Sequence, residues 1–145
     1  MPSELLHALH VLEYPYTRST GPVIGRFLGE LREARIVGIR GSDGRVLVPA
    51  QEYDPVTSET LTEFVEVADT GVVQTWSWVN QARPNNPLQT PFAWALVKLD
   101  GADTAMLHAV DVASVDAMRT GMRVKARWRA ERTGHITDIE CFEAQ

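Results

Sequence analysis

The clearest pattern in the chain lies near its carboxyl end, where apolar and charged positions alternate without a break. From residue 122 to residue 131 every second residue is apolar and the residues between them are charged. Strict alternation of this length is typical of a strand with one buried face and one wet face. A Thr133-Gly134 turn then predicts a return strand. Because Ile136, Ile139 and Phe142 do not keep one parity, we expect a bulge or an end effect in it.

An amphipathic helix is predicted ahead of the strands. Ser19 or Thr20 can cap it, and Pro22 suits an early helical position because its missing N–H would be unpaired there anyway. Apolar residues follow at three- and four-residue spacing and form one face, which consists of Val23, Ile24, Phe27, Leu28 and Leu31. This face has to pack either on the chain's own barrel or on another chain. We expect residues 1–18 to form an extended lead-in, loosely anchored by Leu5, Leu9, Val11, Leu12, Tyr14 and Tyr16.

The rest of the chain has the pattern of β structure. Residues 35–39 and 45–48 predict a hairpin, and from residue 61 onward all elements are predicted strands. Five strands with one irregular crossover between the third and the fourth predict a small closed barrel, for which the OB-fold is the leading candidate. An immunoglobulin-like sandwich would need about seven strands and is less favoured. The expected fold class is therefore mainly β, a five-stranded OB-fold barrel preceded by a helix.

Composition places the chain among globular proteins. It has 145 residues, of which 44% are hydrophobic and 23% charged, and no apolar run approaches the roughly 20 residues of a membrane span. The start has acidic Glu4 and no basic residue ahead of a modest apolar stretch, which does not predict a signal peptide. With Cys141 as its one cysteine, the chain has no internal disulfide. A cytoplasmic location fits these features best.

The net charge of −5 argues against bulk nucleic-acid binding, but the charge is unevenly distributed. Six of the fourteen basic residues lie between Arg119 and Arg132. The wet face of the alternating strand carries four of them, Arg123, Lys125, Arg127 and Arg129, which are possible phosphate contacts. A solvated face paired with nearby Asp and Glu is the favoured interpretation. Nucleic acid ranks last, because the aromatic Trp128 lies on the opposite parity from the basic residues.

Catalytic groups are sparse. His108 could act as a general base near pH 7, although a lone histidine in a strand is more often a packed structural residue. Asp111 is three residues away and points to the opposite strand face, which weakens a dyad. Since no motif places a nucleophile beside His108, we expect no catalysis by this chain alone. Cys141 is interpreted as structural.

The order of the segments resembles a known family. The helix GPVIGRFLGELREARI precedes a ribbon-like GRVLVPAQEYDP, followed by the strand-turn-strand TPFAWALVKLDGADTAMLH and the closing hairpin GMRVKARWRAERTGHITDIECF. Over roughly residues 20–143 this order is similar to the acyl-CoA-associated OB-fold family, catalogued as domain of unknown function thirty-five, or DUF35. Its members typically carry an N-terminal helix, a rubredoxin-like zinc ribbon and an OB-fold. The resemblance implies residues 1–34 as extension and helix, 35–60 as a degenerate ribbon and 61–145 as the barrel.

The resemblance implies a partner rather than a stand-alone enzyme. Such proteins occur with thiolase-like proteins acting on CoA thioesters, including retro-aldolases of steroid side-chain breakdown and acyl-transfer complexes. We therefore expect a non-catalytic accessory subunit of a thiolase-like enzyme, with the apolar helix face as partner interface. The loop of residues 83–91 would lie near the substrate entrance. Residues expected close to substrate or CoA are Arg83, Asn85, Asn86, Phe92, Trp94 and His108. Trp76 and Trp78 share one strand face and are more simply barrel core.

The ribbon departs from the family pattern. The positions aligned with its zinc ligands hold Arg40, Asp43, Asp54 and Thr57. A cation, two carboxylates and a hydroxyl do not make a structural zinc site, so we expect no metal and no bound cofactor. The hairpin must then be held by its turns and by packing of Ile36, Val46 and Val48. Two alternatives to the subunit hypothesis remain, a stand-alone acyl-CoA-binding protein and a single-stranded nucleic-acid-binding OB-fold.

Overall fold

A computed structural model describes residues 5–145 of the chain. Residues 1–4, including the Glu4 of the signal-peptide argument, lie outside the described residues. Residues 5–21 carry no regular secondary structure, and their large apolar side chains, from Leu5 to Tyr16, are 62–93% exposed. The prediction that these side chains anchor the lead-in is therefore wrong. No helix within residues 5–145 has the length and apolarity needed to cross a membrane.

The helix α1 spans Pro22–Arg32. Its cap residue is Gly21, so the prediction of a cap from Ser19 or Thr20 is wrong. The helix is capped instead by the carboxylate of Glu52, which is distant in the sequence. Its Oε1 atom accepts hydrogen bonds from the amides of Val23 and Ile24, both at 2.9 Å. A negative charge at this end is favourable because the helix dipole is positive there.

The apolar face of α1 packs on its own chain. Val23, Phe27 and Leu31 are at most 4% exposed and Leu28 is half-buried, while Ile24 keeps 37% exposure. The helix contacts a strand of the ribbon and the short 3-10 turn η2 (Ile136–Asp138). The expected partner interface is therefore wrong for the buried members of the face, because the chain's own core already covers them.

The ribbon is a three-stranded antiparallel sheet. It contains β1 (Ile36–Arg40), β2 (Val46–Leu47) and β3 (Phe64–Val67), in the order β2-β1-β3. The side chains expected to hold the hairpin, Ile36, Val46 and Val48, are all buried. The expected boundary at residue 61 assigned β3 to the barrel, whereas β3 pairs with β1 along its whole length.

The ribbon is hydrogen-bonded to the barrel. The amide of Val46 donates to Asp103 Oδ2 and the amide of Val48 donates to Thr104 Oγ1, each at 2.8 Å. At the far side, Arg32 of α1 donates to the Thr133 carbonyl at 3.1 Å. Helix, ribbon and barrel therefore share one continuous core.

The barrel closes as predicted, which confirms the expected fold. Its strands are β4 (Thr70–Val79), β5 (Phe92–Leu99), β6 (Met106–Asp111), β7 (Arg123–Trp128) and β8 (Ile139–Ala144), in the ring order β4-β5-β6-β8-β7. Only the β6–β8 pairing is parallel. The irregular crossover from β6 to β7 contains the 3-10 turn η1 (Val115–Ala117). A register shift between Val73 and Thr75 lets Trp76 and Trp78 pack against the core, as expected.

The last two strands differ from their predicted bounds. β7 ends at Trp128, and Ala130 is exposed rather than buried. The amide of Arg129 donates instead to the Asp138 carbonyl, at 2.9 Å, as the chain turns away. The end effect expected in the return strand is confirmed, because η2 precedes β8 and a register shift lies between Arg127 and Trp128.

Candidate functional site

A cavity of about 450 Å³ lies between the long loop before β5 and the η2 turn. Its volume is within the range of small-molecule pockets. It brings together five of the residues expected near substrate or phosphate, namely Asn85, Asn86, Trp94, His108 and Arg129. The remaining lining is mostly apolar and comes from Pro87, Leu107, Ile136, Thr137 and Ile139. The chain therefore has a concave, largely apolar site that also contains polar groups. We call it the barrel cavity.

The loop that borders the barrel cavity is braced by Asn86. Its side-chain oxygen accepts from the amide of Arg83 at 2.8 Å, and its own amide donates to the Arg83 carbonyl at 2.9 Å. Gln89 adds a side-chain hydrogen bond to the Asn86 carbonyl at 3.2 Å. Because the oxygen of Asn86 is occupied by the loop, Asn85 is the better candidate for contacting a ligand.

A second cavity of about 350 Å³ adjoins the first and shares Asn86 and Trp94 with it. Arg83 lines this second cavity, not the barrel cavity. Phe92 reaches neither, since it is fully buried and packs edge-on against Trp94 with ring centroids 5.3 Å apart. The expectation that Phe92 contacts substrate is wrong. It supports Trp94 from behind.

His108 is a packed structural residue. Its Nδ1 atom accepts from the amide of Ala109 at 2.9 Å, and its Nε2 atom lies 3.4 Å from the Ile136 carbonyl, which assigns the proton to Nε2. Phe142 packs edge-on against the ring. Burial lowers the pKa of His108, so the imidazole is neutral at pH 7. A lone pair already committed to a backbone amide does not serve as a general base.

The one cysteine of the chain and the carboxylate considered as a partner of His108 are also accounted for. Cys141 is buried, and this burial raises the pKa of its thiol to about 12, which keeps it protonated and unreactive. Asp111 accepts from Arg127 at 3.0 Å rather than orienting His108. The structural interpretations of His108 and Cys141 are therefore confirmed.

Two of the four basic residues between Arg123 and Arg129 are neutralised by carboxylates. Arg123 donates to both oxygens of Asp100, at 2.7 and 2.6 Å, and the Arg123 and Thr70 side chains lower the pKa of Asp100. Arg127 has three acidic partners, Glu140 at 2.7 Å, Asp111 at 3.0 Å and Glu143 at 3.1 Å, which raise its pKa. The favoured interpretation of a paired, solvated face is confirmed for both.

Lys125 and Arg129 stand apart from these ion pairs. Lys125 is exposed and lies opposite Glu143 in the strand register. Arg129 follows the end of β7 and is one of the residues that line the barrel cavity. Of the four expected phosphate contacts, Arg129 is therefore the one that the fold directs to the candidate site.

The η2 turn forms one wall of the barrel cavity, and Asp138 fixes its shape. The Asp138 carboxylate accepts from the amides of Thr133, Gly134 and His135, at 2.9, 2.7 and 3.1 Å. Although burial opposes ionisation, these hydrogen bonds lower the pKa of Asp138. The wall residues Ile136 and Thr137 were missed from the sequence. The sequence feature that pointed to them was the break in the alternation of apolar and polar residues in the predicted return strand.

A carboxylate connects the two turns of the degenerate ribbon. Asp54 is 3% exposed, and its Oδ2 atom accepts from the amide of Ser42 in the first turn at 2.9 Å. Its Oδ1 atom accepts from the amide of Val56 in the second turn at 2.8 Å. Hydrogen bonds from Ser42 and then Val56 lower the pKa of Asp54 to about 2.

This arrangement does not fit a zinc ion. Both oxygens of Asp54 are occupied by amides, and Arg40 is directed to the Gly44 carbonyl and to Glu63. Asp43 is paired with Arg45 at 2.7 Å. Within residues 5–145, no group of three or more His, Cys, Asp or Glu side chains could hold a metal. In the ribbon of this chain, one carboxylate joins the two turns.

Comparisons with known proteins match part of the chain to a family model. Residues 64–129 match the family model of the ChsH2 C-terminal OB-fold domain. A comparison with curated proteins finds no match. Among solved structures, a DUF35-family protein of unknown function from Sulfolobus solfataricus is 20% identical, with a TM-score of 0.62, covering 86% of this chain and 85% of that one.

The Ltp2-ChsH2(DUF35) aldolase is a second structural neighbour. It is 19% identical, with a TM-score of 0.63, and the match covers 88% of this chain and 98% of that chain. At these identities the two structures establish the shared fold. Together with the family model, they confirm the resemblance to the DUF35 OB-fold family.

Proposed function

We propose, from the confirmed resemblance of this chain to the DUF35 OB-fold family, that it is the non-catalytic accessory subunit of a thiolase-like enzyme acting on an acyl-CoA. The supporting observation is the barrel cavity, which gathers Asn85, Trp94 and Arg129 around an apolar interior. The reaction is acyl transfer or retro-aldol cleavage, and a steroid side-chain CoA thioester is the substrate class we favour. One structural neighbour is the Ltp2-ChsH2(DUF35) aldolase.

The cavity suits a ligand that is apolar at one end and polar at the other. Trp94, Leu107 and Ile139 offer the apolar surface against which an acyl group packs. Arg129 and Asn85 supply N–H donors at the same site, where the amide or phosphate groups of a CoA arm would accept hydrogen bonds. In the proposed complex, this chain therefore helps to bind and orient the thioester.

The chemical steps are assigned to the partner. His108 is buried and committed to Ala109 and Ile136, and Cys141 remains a protonated thiol at physiological pH. A group that binds and orients without reacting lowers the concentration of substrate that the enzyme needs, and leaves bond breaking to the partner's nucleophile and bases.

Co-expression with each thiolase-like protein of the same genome tests the subunit hypothesis. We expect one of them to co-purify with this chain and to cleave or transfer an acyl-CoA only when both chains are present. If none co-purifies, or if the thiolase-like protein is equally active alone, the hypothesis fails.

Arg129→Gln is expected to raise the KM for acyl-CoA about tenfold in that complex, with a smaller effect on kcat. The reason is that loss of one charge-assisted hydrogen bond is worth about 1.5 kcal/mol. Lys125→Gln is the matched control, because it removes one positive charge from the exposed face of the preceding strand. We expect less than about a twofold change for this control. Equal changes in KM for the two variants would show that overall charge, rather than the cavity, is responsible.

Stand-alone acyl-CoA binding is the second candidate function, and the volume of the barrel cavity favours it. In that case the purified chain binds a CoA thioester with measurable heat, and Arg129→Gln weakens this binding. If calorimetry detects no heat at millimolar ligand, this candidate is eliminated while the subunit hypothesis stands.

A further inference from the structure

The largest group of exposed apolar residues in the described chain lies ahead of α1. We call residues 5–16 the N-terminal arm. Its large apolar side chains are Leu5, Leu6, Leu9, Val11, Leu12, Tyr14 and Tyr16, and each is mostly exposed. Single exposed apolar residues are ordinary on protein surfaces. Seven within twelve residues form a patch of the kind that marks an interaction site.

We infer that the N-terminal arm is a docking element that folds as a short helix in an apolar groove of the partner protein. This inference rests on the proposed function, because the partner is the thiolase-like protein of the proposed complex. It replaces the face of α1, which is buried in this chain, as the main apolar contact.

The pattern of the arm matches a helix in a groove. Its polar residues His7, His10 and Glu13 recur every three positions, so on a helix they form one polar stripe about 120° wide. The other faces would be apolar, with anchors at Leu5, Leu9 and Leu12, at the spacing that helix-in-groove recognition uses. The helix would end at Tyr14, because the residue that precedes a proline disfavours the helical conformation. A helix of about ten residues is marginal in water, which accounts for the irregular backbone of the unbound arm.

The charge of the arm favours a protein groove over a membrane surface. Helices that lie on membranes carry Lys and Arg on their polar face. Between residues 5 and 16 there is neither Lys nor Arg, and Glu13 is the one acidic residue. The partner surface that suits this arm is therefore an uncharged apolar groove.

A second copy of this chain is a poorer fit. Its apolar cavities within residues 5–145 include the barrel cavity and one of about 350 Å³ lined by Val23, Leu61 and Phe64. Cavities of this size are pockets for a small molecule rather than grooves for an extended set of side chains. The seven side chains of the arm expose on the order of 800 Å², which is what one partner contributes to a stable interface.

The test measures the affinity of the full chain for the co-purifying thiolase-like protein. The arm variant is Leu5→Ser/Leu9→Ser/Leu12→Ser, and the control is His7→Ser/His10→Ser/Glu13→Ser, which alters only the polar stripe. We expect the arm variant to bind at least about 100-fold more weakly and the control to stay within about threefold of the unmodified chain. Because the arm is exposed, both variants should keep the melting temperature. Hydrogen exchange should show amides 5–14 becoming protected in the complex.

Each alternative outcome has a distinct meaning. If the arm variant binds as tightly as the unmodified chain, the docking role is wrong and the subunit hypothesis stands. If the unmodified chain binds no thiolase-like protein, both are wrong. Sedimentation that shows a dimer for the unmodified chain and a monomer for the arm variant would assign the arm to self-association and overturn the inference. Arm-dependent binding to neutral or anionic lipid vesicles would also overturn it.

Discussion

Replacing Asp54 by alanine is expected to lower the melting temperature of this protein by on the order of 5–10 °C. The substitution breaks two partly buried hydrogen bonds and leaves the amides of Ser42 and Val56 without their acceptors. Because those amides belong to different ribbon turns, the two turns lose a group that connects them. Thermal unfolding followed by circular dichroism measures the change.

Two further substitutions separate the joining role of Asp54 from its charge. Asp43→Ala removes a carboxylate from the first turn, where it pairs with the exposed Arg45, and should lower the melting temperature by no more than about 2 °C. Asp54→Asn keeps one acceptor oxygen and should give an intermediate value. If Asp54→Ala and Asp43→Ala have the same effect, Asp54 does not join the turns.

The pH dependence of stability gives an independent measurement on the same residue. The pKa of Asp54 is lowered from 3.8 in the unfolded chain to about 2 in the folded protein. The stabilisation from its charge is therefore fully present above pH 4 and is lost as the pH falls towards 2. The difference in melting temperature between the unmodified protein and Asp54→Asn should shrink over that interval. A difference that stays constant from pH 7 to pH 2 would contradict the assignment.

The sequence predicted the elements whose partners lie close by in the chain. The β1–β2 hairpin and the barrel strands were recognised from alternation and turn residues, because strand periodicity is a local property. The crossover between β6 and β7 and the end effect near Ile136 were also recognised. These signals were sufficient for the ring of five strands and hence for the fold.

The contacts that the sequence did not reveal are long-range. Amphipathicity predicts that the face of Val23, Phe27 and Leu31 is buried, but it does not say which surface buries it. The helix cap is also a long-range contact, because Glu52 is 29 residues away from Val23 and no local sequence pattern connects them. The residues of the barrel cavity were recognised on the loop, whereas Leu107 and Ile136 were missed because their strand and turn meet only when the barrel closes.

Gly71→Ala is expected to destabilise the protein by about 3 kcal/mol, because it inserts a methyl group where the backbone of a neighbouring strand leaves no room for it. Gly71 lies on β4 and pairs with Leu99 of β5 and with Val124 of β7. An added Cβ would overlap the Lys98 carbonyl oxygen and lie 2.8 Å from the Leu99 Cα atom. These are backbone atoms, so relief requires the strands themselves to move apart.

Gly29→Ala provides the matched control for Gly71→Ala. Gly29 lies in α1, is exposed, and an added Cβ there meets no atom within 4 Å. The same change should therefore stabilise the protein by up to about 1 kcal/mol through helix propensity. Urea denaturation of both variants measures the two free energies of unfolding. A Gly71→Ala protein as stable as the unmodified chain would show that the β4–β5 contact can spread at no cost, and that barrel closure does not depend on a glycine at this position.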